Sequence, residues 1–335
     1  MAATRAWLGV LCATGLSLGG AAGMNSPTGQ LAFASHRDGN WEIYRSDGDG
    51  THQRRLTQRD TQDRFPLWSP NGRLIAFGSQ LPNDWELWVM NADGSEPGRL
   101  CSHIVAKGFR QWSPDGRFIA LAASVDSNIE IFTVEVASGR LTRLTTSPGD
   151  DRDPTWSPDG KQIAFSSMRD GNSNIYVMRA DGTELRPVTT DGAEDVSPLW
   201  SPDGSRVAFA SGVGEDRDLY TIGLADGRRE RLTTGAHITK DVSRWSADGA
   251  YIAIQTADHE NYDIQLVRLS DHARSVLAAS PMYDGQFALS ADGARIAFIS
   301  DRDGPDAVYV TDVRGGGTRV GRLTTSSSLN PEWAP

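Results

Sequence analysis

Five aspartates stand at almost fixed distances ahead of a recurring tryptophan. Asp63, Asp151, Asp195 and Asp284 lie five residues before an anchor position held by Trp68, Trp156, Trp200 and Leu289, and Asp241 lies four before Trp245. Carboxylates repeated around a closed structure would ring one end of it with oxygen ligands. Such a ring suits a hard cation such as Ca²⁺, or a cationic group on a partner. It is also the arrangement a metal-dependent hydrolase or lyase would need at the mouth of a channel. The local alternative is that each short acidic side chain bonds backbone N–H groups of its own loop or of the next repeat. Lys107 occupies the equivalent slot before Trp112 and interrupts the ring, which weighs towards the local role.

A second constellation is aromatic. Trp41 and Trp85 occupy a loop slot that is Ser173 in another repeat, and they fall in adjacent repeats. Paired aromatics among polar groups suit contact with a protein or a carbohydrate, and packing against the strand ends is the alternative. Other chemistry is thinly supported. The six histidines show no zinc-binding spacing. The one G-x-S-x-G match, Gly15 to Gly19, lies in an apolar leader without the strand–turn–helix context of a nucleophile elbow.

The elements that must position these residues follow from the anchor itself. Trp68, Trp112, Trp156, Trp200, Trp245, Leu289 and Trp333 are separated by steps of 44, 44, 44, 45, 44 and 44 residues. A period of this length, with four strand-like segments in each repeat, specifies an all-β propeller. In the repeat from Asp151, the predicted strands are 151–156, 162–166, 174–178 and 185–189. They are joined by Ser157-Pro158-Asp159-Gly160, an Asp170-Gly171 loop and Ala180-Asp181-Gly182. Seven second strands of the type Ile163-Ala164-Phe165 give seven blades. The first repeat lacks an inner strand, and the last residues, Asn330 to Trp333, supply one. The C-terminal strand is therefore expected to complete the first blade and leave no open sheet edge. The repeating tryptophans read as wedges between blades.

Residues 1–23 have Arg5 as their only charge, an apolar run from Trp7 to Leu18 and a small-residue tail, the layout of a secretory signal peptide. Residues 24–335 then form the propeller domain. Leu11 before Cys12 argues against a lipid anchor, and the run is short for a membrane span. Removal of the leader leaves Cys101 alone, in a slot that is threonine in most repeats, so it is expected at a strand end. The net charge of −10 becomes −11 with the loss of Arg5. That balance argues against sequence-independent nucleic-acid binding.

The Trp-Ser-Pro-Asp/Asn-Gly phrases at 68–72, 112–116, 156–160 and 200–204 resemble those of the TolB-type propeller family. So do the Asp-Gly-Asn loops at 38–40 and 170–172, the Ala-Asp-Gly turns and the Arg-Leu-Thr segments at 55–57, 143–145, 231–233 and 322–324. The resemblance extends to the propellers of prolyl-oligopeptidase-like peptidases. It implies a propeller fold and a role in the cell envelope. Two departures are expected: seven blades where TolB has six, and no room between Gly23 and Gln30 for the α/β domain that precedes the TolB propeller. The combined expectation is an exported, monomeric, non-catalytic scaffold, periplasmic or secreted. Its partner would be a protein or a peptidoglycan-associated group, and it would need no cofactor unless Ca²⁺ sits in the acidic ring.

Overall fold

The computed structural model describes residues 29–102, 111–125, 128–214, 216–258, 261–278, 280, 283–313 and 320–335; the proposed leader and Lys107 lie outside them. Seven four-stranded antiparallel sheets form the ring, each ordered from an inner to an outer strand. Blade 4 shows the plan: Asp151–Trp156 innermost, then Gln162–Ser167, Asn174–Arg179 and Arg186–Pro187. The outer strand is shorter than the sequence suggests. Pro187 has no N–H to extend the ladder, and Thr189 instead uses its side chain, its Oγ1 accepting from the Ile175 amide at 2.9 Å.

Ring closure occurs as expected. Ser328–Trp333 pairs antiparallel with Gln30–Ser35, so blade 1 takes its inner strand from the opposite end of the chain. Inner strands of neighbouring blades approach one another around the ring. Each blade alternates Ala with Ile, Val, Leu or Phe along its second strand, as in Ile163-Ala164-Phe165, and all of these are buried. The small residue lets one blade face close on the next while the bulky ones fill the opposite interface.

The tryptophans are wedges. Trp68, Trp112, Trp156, Trp200 and Trp333 are buried, and Trp245 is partly buried. The indole of Trp112 donates to the Leu67 carbonyl at 3.2 Å, Trp200 to Thr155 at 3.1 Å and Trp245 to Leu199 at 3.3 Å. Each acceptor belongs to the preceding blade, so one side chain both packs and pins a junction. Cys101 ends the outer strand of blade 2 and is buried opposite Leu87.

A second feature recurs on the inner strands. Phe65, Asp153, Ser197, Gln286 and Asn330, each three residues before the anchor, have φ between 45° and 57°. A register shift accompanies each of them. A bulge of this kind re-aims a side chain at the channel edge of the sheet. The following residue is proline in four of these blades, where the inner edge requires no donor.

Candidate functional site

Trp41, Trp85 and the starts of the inner strands share one rim, the mouth, while the Ser-Pro-Asp-Gly turns occupy the other. The mouth loops run from second to third strands and from outer strands to the next inner strand.

Asp63, Asp151, Asp195 and Asp284 all begin or nearly begin inner strands, and all four are fully buried. Three of them are hydrogen-bonded, whereas both carboxylate oxygens of Asp195 lack a hydrogen-bond partner. The Asp151 carboxylate accepts from Arg169 Nη2 at 3.0 Å, and Asp284 accepts from Arg302 Nη2 at 2.8 and 3.0 Å. Asp195 has Arg229 Nη2 at 3.5 Å, and Asp63 has Arg59 Nε at 3.9 Å together with the Ser79 hydroxyl at 2.6 Å. Each guanidinium also lies over aromatic rings of a blade: Arg169 over Tyr176 at 4.7 Å, Arg302 over Tyr309 at 5.2 Å, Arg229 over Tyr220 at 4.3 Å and Arg59 over Trp88 at 3.5 Å. The unit is a bracket: an arginine stacked on the blade holds the carboxylate that starts the inner strand. The side chain of Asp241 lies outside the described residues.

Burial dominates the electrostatics of Asp63, Asp151 and Asp195. It pushes Asp63 up to about 6 against the opposing pull of Ser79 and Arg59, and it raises Asp151 and Asp195 against their hydroxyl partners. Asp151 and Asp284, each hydrogen-bonded to an arginine, are poorly placed to ligate a cation from the channel. Among the described residues, no group of three or more His, Cys, Asp or Glu side chains is arranged to hold a metal ion.

The aromatic pair is brought together through blade 2. Both indoles are half-buried rather than exposed. Arg64 lies over the Trp41 ring at 4.7 Å, with His36 on the same ring at 5.5 Å, and Phe65 meets Trp85 at 5.5 Å. Consecutive residues of one inner strand thus join the two tryptophans into a shelf across blades 1 and 2. The bulge makes this possible. Its slot is Asp, Ser, Gln or Asn in blades 4, 5, 7 and 1, but in blade 2 it holds Phe65 at φ 57°. A bulky residue seldom adopts that conformation. Beside the shelf, Gln80, Asn83, Asp84, Trp85 and Ser124 line an open depression of about 500 Å³.

The bracketing arginines were not singled out in the sequence, although Arg37, Arg169 and Arg302 precede the Asp-Gly pairs of their loops. Glu332 was also missed. It sits on the ring-closing inner strand, and burial raises its carboxyl to about 7 while Arg244 of blade 6 opposes the shift.

A seven-bladed ring closed by its C-terminal strand, with its variable chemistry gathered at one rim, defines a β-propeller of the repeat-scaffold type. Sequence comparison specifies it further. The family model for the TolB beta propeller domain matches residues 102–237 and again 196–335, and the chain belongs to that family. No curated protein matches the sequence. Among solved structures, TolB from Acinetobacter baumannii is 18% identical with a TM-score of 0.60, the match covering 92% of this chain and 67% of that one. An oligogalacturonate lyase from Vibrio parahaemolyticus is 16% identical, with a TM-score of 0.70 and 91% of each chain covered. An oligogalacturonate lyase in complex with manganese is 18% identical, with a TM-score of 0.68, covering 84% of this chain and 85% of that one. Identities this low speak for a shared fold and not for a shared activity.

Proposed function

We propose that the protein is an exported, non-catalytic propeller scaffold that binds a protein or peptidoglycan-associated partner of the cell envelope. The binding surface in this reading is the mouth shelf of Trp41, Arg64, Phe65 and Trp85. The observation that carries it is Phe65, a large aromatic held in a left-handed bulge whose equivalents in four other blades are polar. The bulge recurs in five blades, but among the described residues only blade 2 keeps a large aromatic in that left-handed conformation, which points to use of the side chain that it presents. Export rests on the leader-like residues 1–23, and placement in the periplasm or outside the cell follows from it. No helix among the described residues is long and apolar enough to cross a membrane.

Catalysis by a metal at the acidic mouth, the use the manganese-bound relative would suggest, fits this chain less well. Of the aspartates that would serve as ligands, Asp151 and Asp284 are already held by arginines and Asp63 by the Ser79 hydroxyl.

The test is capture from an envelope fraction by in-cell crosslinking, with wild type beside Phe65→Ala and Trp41→Ala/Trp85→Ala. A specific adduct that both variants lose, while melting as folded proteins, is the expected result. An adduct unchanged in both would remove the shelf from the binding surface. Cleavage of polygalacturonate dependent on added Mn²⁺ would replace the scaffold reading with the lyase one.

A further inference from the structure

Among the inner strands whose first residues are described, the bracket lacks its aspartate at the junction of blades 7 and 1, where the ring closes. Arg37, Arg169 and Arg302 occupy the same loop slot in blades 1, 4 and 7, and their guanidiniums are placed alike. Nε of each donates to the serine ending the second strand: Ser35 at 3.1 Å, Ser167 at 2.8 Å and Ser300 at 2.9 Å. Each stacks over the Phe and Tyr of its blade, Arg37 lying 5.7 Å from Phe33 and 4.4 Å from Tyr44. The Nη2 atoms then differ. In Arg169 and Arg302 this nitrogen holds Asp151 and Asp284. In Arg37 it is buried and has no hydrogen-bond partner, because the matching inner-strand residue is Ser328.

The second acidic slot of the junction is also missing. Elsewhere the threonine ending an outer strand donates to a buried acid, as Thr57 does to Glu42 at 2.6 Å and Thr233 to Asp218 at 2.8 Å. At this junction Ala307 stands in the acid's place beside Thr324, which only accepts, from the Val308 amide. Each other junction of the ring carries an acid in at least one of the two slots. Ser328 turns to Ser35 at 3.2 Å and to the Ser326 carbonyl at 3.0 Å. The nearby acids do not complete the set: Asp38 accepts from the Tyr44 hydroxyl and from Arg55, and neither it nor Asp306 bonds the free guanidinium nitrogen.

We propose that this junction is a carboxylate-binding site, and that a carboxylate from outside the chain takes the place that Asp151 and Asp284 hold in blades 4 and 7. Ser328 is shorter than the aspartates in the same slot of blades 4 and 7, and Arg37, Ser326 and Ser327 are partly exposed at the mouth. A guanidinium with one edge already fixed by stacking and by Ser35 is preorganised for such a ligand. Desolvation of Arg37, which depresses its pKa, is the penalty that an arriving anion would relieve. The site does not depend on the shelf at blades 1 and 2. The carboxylate is either the terminus of a chain or an acidic side chain.

Thermal melts with sodium acetate against sodium chloride at equal ionic strength test the proposal. At about 100 mM acetate the wild type should melt roughly 2–4 °C higher than in chloride, the size of shift given by a ligand present at several times its Kd. Arg37→Gln should abolish the difference. Ser328→Asp should raise the melting temperature without ligand and also abolish the response, since it supplies the carboxylate internally. An independent readout is modification of Arg37 by phenylglyoxal, followed by mass spectrometry, which acetate should slow several-fold. N-acetylglycine in place of acetate separates the sources: a stronger response to it marks a chain terminus, a weaker one a side chain. Equal shifts in chloride and acetate, an acetate response persisting in Arg37→Gln, or a Ser328→Asp protein that melts below wild type would each overturn the assignment.

Discussion

The two rims of the ring are built from the same repeats and behave differently. On the turn rim, Ser113, Ser157, Ser201 and Ser246 each donate to the aspartate two residues on at 2.6 Å, and Ser290 does so at 2.5 Å. On the mouth rim, the partner of the inner-strand aspartate changes from blade to blade. It comes from the Arg-Asp-Gly loop in blades 4 and 7, from the outer strand in blade 5 and from the preceding blade's loop in blade 2. At the seam the aspartate itself is gone. Uniform repetition marks what each wedge needs in order to pack, and departure from it marks where packing alone does not fix the side chain.

Substitutions can break or sharpen this contrast. The largest effect should come from the scaffold common to all blades: Trp156→Ala is expected to cost about 3–5 kcal/mol in chemical denaturation, as truncation of a buried aromatic does. A variant that melts with wild type would remove the wedge from the stability of the ring. Next are the brackets. Arg169→Met leaves Asp151 buried without its counter-charge and should cost about 2–4 kcal/mol. Arg37→Met, in the same slot but with no carboxylate to abandon, should cost less than about 1 kcal/mol. Similar losses at both sites would show that stacking on the aromatic pair, rather than pairing with the aspartate, is what the arginine contributes.

The pH dependence of stability separates the rims further. Asp63 is raised to about 6 in the folded protein from 3.8. The folded state therefore holds the proton more tightly than the unfolded one, and stability falls as pH rises between those values. Comparing wild type with Asp63→Asn from pH 4 to 7, the wild type should lose on the order of 1–2 kcal/mol relative to the variant. Parallel curves would contradict the burial argument. The smallest effect belongs to the turn rim: Asp159→Ala loses the Ser157 hydroxyl bond and should cost about 0.5–1 kcal/mol, resolved by denaturant midpoints.

Much of the scaffold was legible because it is periodic. The anchor spacing gives seven blades, the orphan strands at the two ends give the closure, and a Trp slot repeated in that manner is a core slot. The mouth was legible only in part. Asp63, Asp151, Asp195 and Asp284 were visible as a set, yet a carboxylate that starts a strand looks the same in sequence whether it faces a channel or an arginine. The pairing of Asp151 with Arg169 and of Asp284 with Arg302 spans 18 residues in both cases, a regularity that an aligned set of repeats could have exposed. Trp41 and Trp85 were placed on one rim, but Arg64 and Phe65 between them were not foreseen, because a one-residue bulge decides which way an inner-strand side chain faces.

The sequence by itself determined the ring: its strand pattern, its blade count and the strand shared between its ends, all consequences of apolar periodicity and turn chemistry acting locally. Tertiary structure decided which charges are neutralised. The partners come from a loop or another strand of the same blade or from the blade before it, and their distance depends on how the sheets twist together. The seam is the extreme case. Ser328 and Ser35 are 293 residues apart, and only closure of the ring sets the Arg37 guanidinium beside a serine where blades 4 and 7 offer an aspartate.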